Sequence, residues 1–184
     1  MTKAKRTASK PTPPRKPKAG LPALGTKVPD FTLPATRDRT IRLTDLGQPL
    51  VLYFYPKDDT TGCTAEGLDF ATHHRAFARA GALVLGASKD SLEKHARFRA
   101  KHGFPFDLLT DADGALCAAF GVWVEKSLYG RKYLGIERST FLIGADRTLL
   151  AEWRKVKVAG HAAEVLAAVQ QHGKSKPRAK RQGA

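Results

Sequence analysis

Cys63 is one of two cysteines in this 184-residue chain, and what precedes it suits a thiol to chemistry. Residues 51–55, V-L-Y-F-Y, form an unbroken β-branched and aromatic run. It is too short for a helix and reads as a strand buried on both faces. Pro56 lacks a ladder donor, and the polar Lys57, Asp58 and Asp59 mark the strand's end. Thr60, Thr61 and Gly62 then supply N-cap and turn chemistry, and residues 65–80 can be helical throughout. The spacing therefore places Cys63 on the first turn of a helix at the carboxyl end of a central strand. Open α/β sheets gather their active sites at that end. A thiol there faces unpaired backbone N–H groups and the positive end of the helix dipole, and both favour thiolate.

The elements that must hold this site follow from the rest of the chain. Residues 28–34 are extended and rich in proline, and 39–43 alternate like a short edge strand. A second buried strand is expected over 82–88, then a helix from about Ser91 to His102, a short strand at 106–109, and a turn at 111–114 opening a helix through Phe120. Residues 123–135 read as a long surface loop. A strand over 138–143, a hairpin turn at 145–147 and a partner strand over 149–154 precede an Ala-rich amphipathic helix over 162–171. This order predicts an α/β protein with a central mixed β-sheet flanked by helices, of the thioredoxin-like kind.

The ends differ from the middle. Residues 1–20 hold Lys3, Lys5, Arg6, Lys10, Arg15, Lys16 and Lys18 with no acid, and residues 173–184 hold Lys174, Lys176, Arg178, Lys180 and Arg181 with none. Most of the formal net charge of +15 sits there. With no large apolar side chains outside the end residues, both ends read as disordered basic tails flanking one domain over 21–172. No apolar run is long enough for a membrane span or a signal h-region, so neither membrane nor secretion is expected. Two cysteines cannot build an extracellular disulfide framework, and the cytoplasm is the expected compartment.

Pro56-x-x-x-Thr60-x-x-Cys63, with Arg138 on a late strand, is similar to the active-site pattern of the peroxiredoxins. The longer string F-Y-P-K-D-D-T-T-G-C-T-A-E resembles the peroxiredoxin Q, or bacterioferritin comigratory protein, branch. So do D-F-T-L-P at 30–34, F-G-V-W at 120–123 and R-S-T-F-L-I at 138–143. The resemblance covers 21–172 and neither tail. It implies a thiol-dependent peroxidase for hydrogen peroxide and organic hydroperoxides, without cofactor or metal, recycled by thioredoxin or another thiol. It also implies a monomer.

It further implies roles that the chemistry can be asked to support. An ordinary thiol, with a pKa of about 8.5, is only a few per cent anionic at neutral pH, and making it mostly thiolate takes roughly 3.4 kcal/mol. A helix N-terminus contributes about 0.3–1 kcal/mol, and ~2 at best. A cation is needed, and Arg138 is the candidate, since a guanidinium stays charged and can hold a peroxide oxygen. Thr60 is placed to hydrogen-bond thiolate and peroxide, Pro56 to shield the pocket, and Glu66 to order it in a supporting role.

Relatives carry a second, resolving cysteine either five residues on, where this chain has Leu68, or on the next helix, where it has Arg97, Arg99 and Lys101. Cys117, among apolar residues of a helix, reads as a core position, with a resolving role as the alternative. Asp111 and Asp113 read as a turn and helix cap rather than a calcium loop. His73, His74, His95 and His102 lack metal spacing and read as solvated helix faces. Trp123 and Tyr129 near Lys126, Arg131 and Lys132 read as a loop packing one aromatic. Two other functions stay open: binding of nucleic acid through the basic tails with a secondary peroxidase, and disulfide reduction, which the absence of Cys-x-x-Cys disfavours.

Overall fold

A strand with no polar residue on either side needs cover on both faces, and the fold supplies it. The computed structural model describes residues 20–175. Its elements run β1 (Thr32–Ala35), β2 (Arg39–Arg42), β3 (Leu50–Phe54), α1 (Thr61–Arg79), β4 (Leu83–Ser88), α2 (Leu92–His102), β5 (Asp107–Thr110), α3 (Ala115–Ala119), β6 (Trp123–Leu128), β7 (Arg131–Ile136), β8 (Ser139–Ile143), β9 (Leu149–Trp153) and α4 (His161–Ser175). Seven strands form one sheet in the order β2-β1-β5-β4-β3-β8-β9. The pairs β3–β4 and β4–β5 are parallel, and β1–β2, β1–β5, β3–β8 and β8–β9 are antiparallel. This is the mixed, thioredoxin-like sheet expected.

The pleat of β3 divides the core in two. Leu50, Leu52 and Phe54 point into one apolar cluster, with Leu116, Cys117, Phe120 and Phe141. Val51, Tyr53 and Tyr55 point into the other, with Cys63, Phe70 and Phe77 of α1, Phe98 of α2 and Val165 and Val169 of α4. Hence α1, α2 and α4 cover one face and α3 the other. Local chemistry sets the helix ends: the Ser91 hydroxyl accepts from the Lys94 amide at 3.4 Å, and Gly103 closes α2 in the left-handed conformation at φ 67°.

Two expectations are corrected. Residues 123–135 are not a loop but most of the β6–β7 hairpin, which pairs in register from Trp123↔Ile136 to Leu128↔Arg131. Its two-residue turn puts Tyr129 at φ 49° and Gly130 at φ 75°, the left-handed pair such tight turns need. The hairpin stands off the main sheet, so its strands show no apolar-in, polar-out alternation, and Tyr-Gly is a weaker turn signal than Asn-Gly. The last helix runs through Ser175, past the expected boundary at 172, because no proline stops it before Pro177. The disorder expected for the basic ends otherwise falls on residues 1–19 and 176–184, outside the described residues. Among the described residues, no helix is long and apolar enough to cross a membrane.

Packing of α1 onto its neighbours depends on Gly67. A Cβ there would lie 2.5 Å from Phe104 Cζ. In an exposed helix interior, Gly→Ala gains roughly 1 kcal/mol. Here the overpacking cost of about 1–3 kcal/mol opposes and outweighs it. Gly67→Ala is therefore expected to lower the melting temperature; a rise would show that the Phe104 ring swings aside freely.

Candidate active site

Cys63 occupies the first turn of α1, the third residue from its start, where the backbone amides have no intrahelical acceptor. Its side chain is 2% exposed. Pairing of β3 with β8 sets Phe54 opposite Ser139, so the residue before β8 emerges beside the residue that begins the Cys63 loop. That residue is Arg138, and its backbone oxygen accepts from the Val156 amide at 3.0 Å. Its Nη2 donates to Cys63 Sγ at 3.3 Å, and its Nη1 donates to Glu66 Oε2. Gly62 makes room for this approach, since a Cβ there would sit 3.1 Å from Nη2. Glu66, one turn beyond Cys63, is 1% exposed. One guanidinium thus bridges a sulfur and a buried carboxylate.

Thr60 and Pro56 lie on the loop between β3 and α1, and both are exposed. Thr60 takes the extended N-cap conformation, and its carbonyl accepts from the Thr64 amide at 2.9 Å. Its hydroxyl does not cap the helix, as residue type suggested; it donates to the Lys57 carbonyl at 3.2 Å. The structure places Thr60 near the helix start without joining its hydroxyl to the sulfur.

The same loop is tied to α2 by groups the sequence reading left in solvent. His95 is completely buried, correcting the solvated reading, and its Nδ1 lies 2.7 Å from Asp58 Oδ2. The Tyr55 hydroxyl donates to Asp58 Oδ1 at 2.7 Å, and the Asp58 amide donates to Asp90 Oδ2 at 2.8 Å. Asp59 pairs with Lys101 at 2.8 Å and with His102 at 3.3 Å. Only Asp58 in a polar loop and His95 in a helix hinted at this, 37 residues apart. In the same apolar cluster as Cys63, Tyr53 stacks on Phe70 at 4.7 Å between ring centroids, and burial first, then the Glu66 charge, raises its phenol well above the usual range.

Cys117 lies on the opposite face of the sheet from Cys63, in the other apolar cluster, and is 0% exposed. The Asp111 carboxylate accepts from the amides of Leu116 at 3.0 Å and Cys117 at 2.7 Å, and Asp113 accepts from Ala115 at 3.0 Å. Both carboxylates are spent capping α3, as expected of a turn. Burial, reinforced by the adjacent Asp111 charge, pushes the Cys117 thiol far up and makes it a poor nucleophile. Among the described residues, no group of three or more His, Cys, Asp or Glu side chains is placed to hold a metal ion.

Burial drives the Glu66 carboxyl up from 4.5 to about 7, and Arg138 pulls the other way. Folded protein thus holds this proton more tightly than unfolded chain does. The group's stabilising contribution is complete below about pH 4.5 and disappears as pH rises through about 7. Glu66→Gln is expected to flatten the stability curve in that window, read by denaturant unfolding at stepped pH. An unchanged slope would show that Arg138 holds the carboxylate ionised throughout.

The AhpC/TSA family matches residues 24–151. Peroxiredoxin Bcp of Bacillus subtilis is 50% identical over 144 residues, covering 78% of this chain and 92% of that protein. Peroxiredoxin Bcp of Xanthomonas campestris pv. campestris is 56% identical over 128 residues, covering 70% and 80%. A solved structure of the Xanthomonas campestris bacterioferritin comigratory protein, studied for alkyl peroxide reduction in a trapped intermediate/ligand complex, is similar at a TM-score of 0.75 and 50% identity, covering 78% of this chain and 92% of that one. A thiol at a helix start under a guanidinium, on this sheet and with these relatives, means that the chain belongs to the AhpC/TSA family of peroxiredoxins, in its Bcp or peroxiredoxin Q branch.

Proposed function

We propose that this peroxiredoxin, a thiol-dependent peroxidase, works through a one-cysteine cycle at Cys63 on hydrogen peroxide and alkyl hydroperoxides. The carrying observation is the 3.3 Å contact of Arg138 Nη2 with Cys63 Sγ at the first turn of α1. The Cys63 thiolate attacks the terminal peroxide oxygen, the O–O bond breaks, and sulfenic acid forms. The departing oxygen takes a proton and leaves as water or an alcohol. Arg138 supports the thiolate and holds the peroxide, Glu66 fixes the guanidinium, and Thr60 and Pro56 line the approach. The Xanthomonas relative's alkyl peroxide chemistry supports the wider substrate range.

Recycling needs a second thiol. A disulfide requires Cα atoms within about 7 Å, and Cys117 is packed behind the sheet with its thiol pushed up by burial. Leu68, Arg97, Arg99 and Lys101 stand where the family resemblance implies a resolving cysteine. An external thiol, thioredoxin, a glutaredoxin or glutathione, therefore reduces the sulfenic acid. The protein works as a monomer in the reducing cytoplasm. The nucleic-acid reading draws no support from fold or relatives, and its tails lie almost wholly outside the described residues.

Cys63→Ser is expected to abolish peroxide consumption with thioredoxin or dithiothreitol as donor, and full turnover in that variant would sink this reading. Arg138→Ala is expected to slow the peroxide step by at least about tenfold, since it removes a charge-assisted contact of about 1.5–3 kcal/mol. Cys117→Ser is expected to keep full turnover. Mass spectrometry after one equivalent of peroxide should show the same sulfenic acid in wild type and Cys117→Ser. A rapid Cys63–Cys117 disulfide would overturn the one-cysteine cycle.

A further inference from the structure

Most of the large apolar side chains that this fold leaves in water lie on one element. Eight are exposed among the described residues, and Trp123, Leu128, Tyr129, Tyr133 and Leu134 account for five of them. All five belong to the β6–β7 hairpin, which pairs only with itself and stands off the seven-stranded sheet. Single exposed apolar groups are ordinary, whereas a cluster on one projection marks a surface that something covers. Tyr129, at the turn, is 97% exposed, and Leu128, Tyr133 and Leu134 are 47% to 59% exposed, so folding gains little from them. The base of the hairpin is different. Val122 and Ile136 are buried, the Glu137 amide donates to the Val122 carbonyl at 2.7 Å, and the Lys89 ammonium lies 4.4 Å from the Trp123 ring centroid. The hairpin is a fixed stalk with an apolar tip.

Register decides how that tip is arranged. Directly opposed residues of an antiparallel pair share a face, and the faces alternate along each strand. Leu128 opposite Arg131 and Lys126 opposite Tyr133 therefore point to one side, and Glu125 opposite Leu134 and Ser127 opposite Lys132 point to the other. Tyr129 stands at the end between them. Apolar groups thus occur on both faces of the tip and at its apex. A flat protein surface could cover one face and would leave the other in water. A medium that surrounds the tip covers all of it, and the interface of a lipid layer is such a medium. The charges fit the same medium. Residues 123–136 hold Lys126, Arg131 and Lys132 against one acid, Glu125. Glu125 is taken by Lys132 at 3.0 Å, and the Lys126 ammonium donates to the Ile136 carbonyl. Arg131, beside the turn, has no ion pair among the described residues. Tyrosine at the water boundary, leucine beyond it and a basic side chain reaching back to the headgroups is the composition of an interfacial anchor. The formal net charge of +15 draws the whole chain to an anionic layer rather than a neutral one.

We infer that the tip of the β6–β7 hairpin, built from Leu128, Tyr129, Arg131, Tyr133 and Leu134, docks into an anionic lipid surface. It enters the interface and spans nothing, so no long apolar helix is required. The contact uses no residue of the peroxide site. It holds the protein by the chain segment that leads, two residues beyond β7, into Arg138. The inference stands apart from the one-cysteine cycle and does not depend on it.

The basic ends of the chain would attract anionic vesicles by themselves, so the test reads the tip. The full chain carries Cys63→Ser, Cys117→Ser and Tyr129→Cys, and its one remaining thiol, at the turn, takes an environment-sensitive fluorophore. The probe is a vesicle of equal parts phosphatidylcholine and phosphatidylglycerol, compared with pure phosphatidylcholine. The label is expected to shift to shorter wavelength on the mixed vesicles and to be quenched by lipids spin-labelled on the acyl chain. Cosedimentation of unlabelled chain supplies the affinities. Leu128→Ser/Tyr129→Ser/Leu134→Ser is expected to bind the mixed vesicles at least about tenfold more weakly, since three apolar side chains no longer leave water. Arg131→Ser is expected to cost about fivefold at low salt, the worth of one cation at an anionic surface. Unchanged melting temperature and unchanged hydrogen peroxide turnover in solution check that both variants are folded.

A label that stays in water while the chain cosediments overturns the proposal, because the basic ends alone then bind. So does equal vesicle affinity in wild type and the triple variant. Self-association of wild type that the triple variant loses, with the label unmoved by vesicles, overturns it in favour of a second copy of the chain. None of these results would touch the assignment of Cys63, which fails only if Cys63→Ser still turns over.

Discussion

The active site depends on one guanidinium held between a sulfur and a carboxylate. Arg138 reaches Cys63 with one nitrogen and Glu66 with the other, and both partners are nearly sealed from water. A buried carboxylate without a cation is costly, and a buried cation with nothing to hold it wanders among rotamers. The Glu66 pairing answers both costs at once. It fixes the planar fork so that the remaining nitrogen faces the sulfur. Because burial raises the Glu66 carboxyl to about 7, the pairing offsets the guanidinium's charge only in part near neutral pH.

That requirement propagates into the sheet. Arg138 can reach α1 only because β8 lies antiparallel to β3, with Ser139 opposite Phe54. A slip of one residue would turn Thr140 and Leu142 to the wrong faces and carry Arg138 away from the helix start. Five fully buried residues along β3 and five along β8 hold the register, since each face has its own apolar cluster to satisfy. The core and the site are therefore one constraint. Gly62 and Gly67, on the same helix, give up side chains so that Arg138 and Phe104 can come close.

The sheet also separates the two thiols. Cys63 belongs to the face covered by α1, α2 and α4, and Cys117 to the face covered by α3. The first is placed among donors and cations, and the second beside the Asp111 carboxylate that caps its helix. Burial first, then the Asp111 charge, pushes the Cys117 thiol up, whereas the Cys63 sulfur accepts from a guanidinium. The structure thus sets one sulfur against a guanidinium and packs the other in the opposite core.

Much of this was legible in the chain. The buried V-L-Y-F-Y run, Pro56 ending it and the turn residues before Cys63 put a thiol at a helix start without any tertiary knowledge. The Ser91 cap, the Gly103 stop and the Asp111–Gly114 turn were equally local, because caps and turns are made by neighbours in sequence. The hairpin at 123–136 was not legible, since a ribbon standing off the core carries no apolar alternation, and tertiary anchoring at Val122 and Ile136 decides it. Nor was His95, whose helix position looked solvated until Asp58 arrived from 37 residues away. Residue types alone named Arg138 only by resemblance. Its grip on Cys63 and Glu66 and the opposite-face burial of Cys117 are long-range facts. The sequence determined which residues could do chemistry and where each element begins. The pairing of β8 with β3 and the two faces of the sheet decided which of them meet, because only packing brings together groups that the chain keeps 75 residues apart.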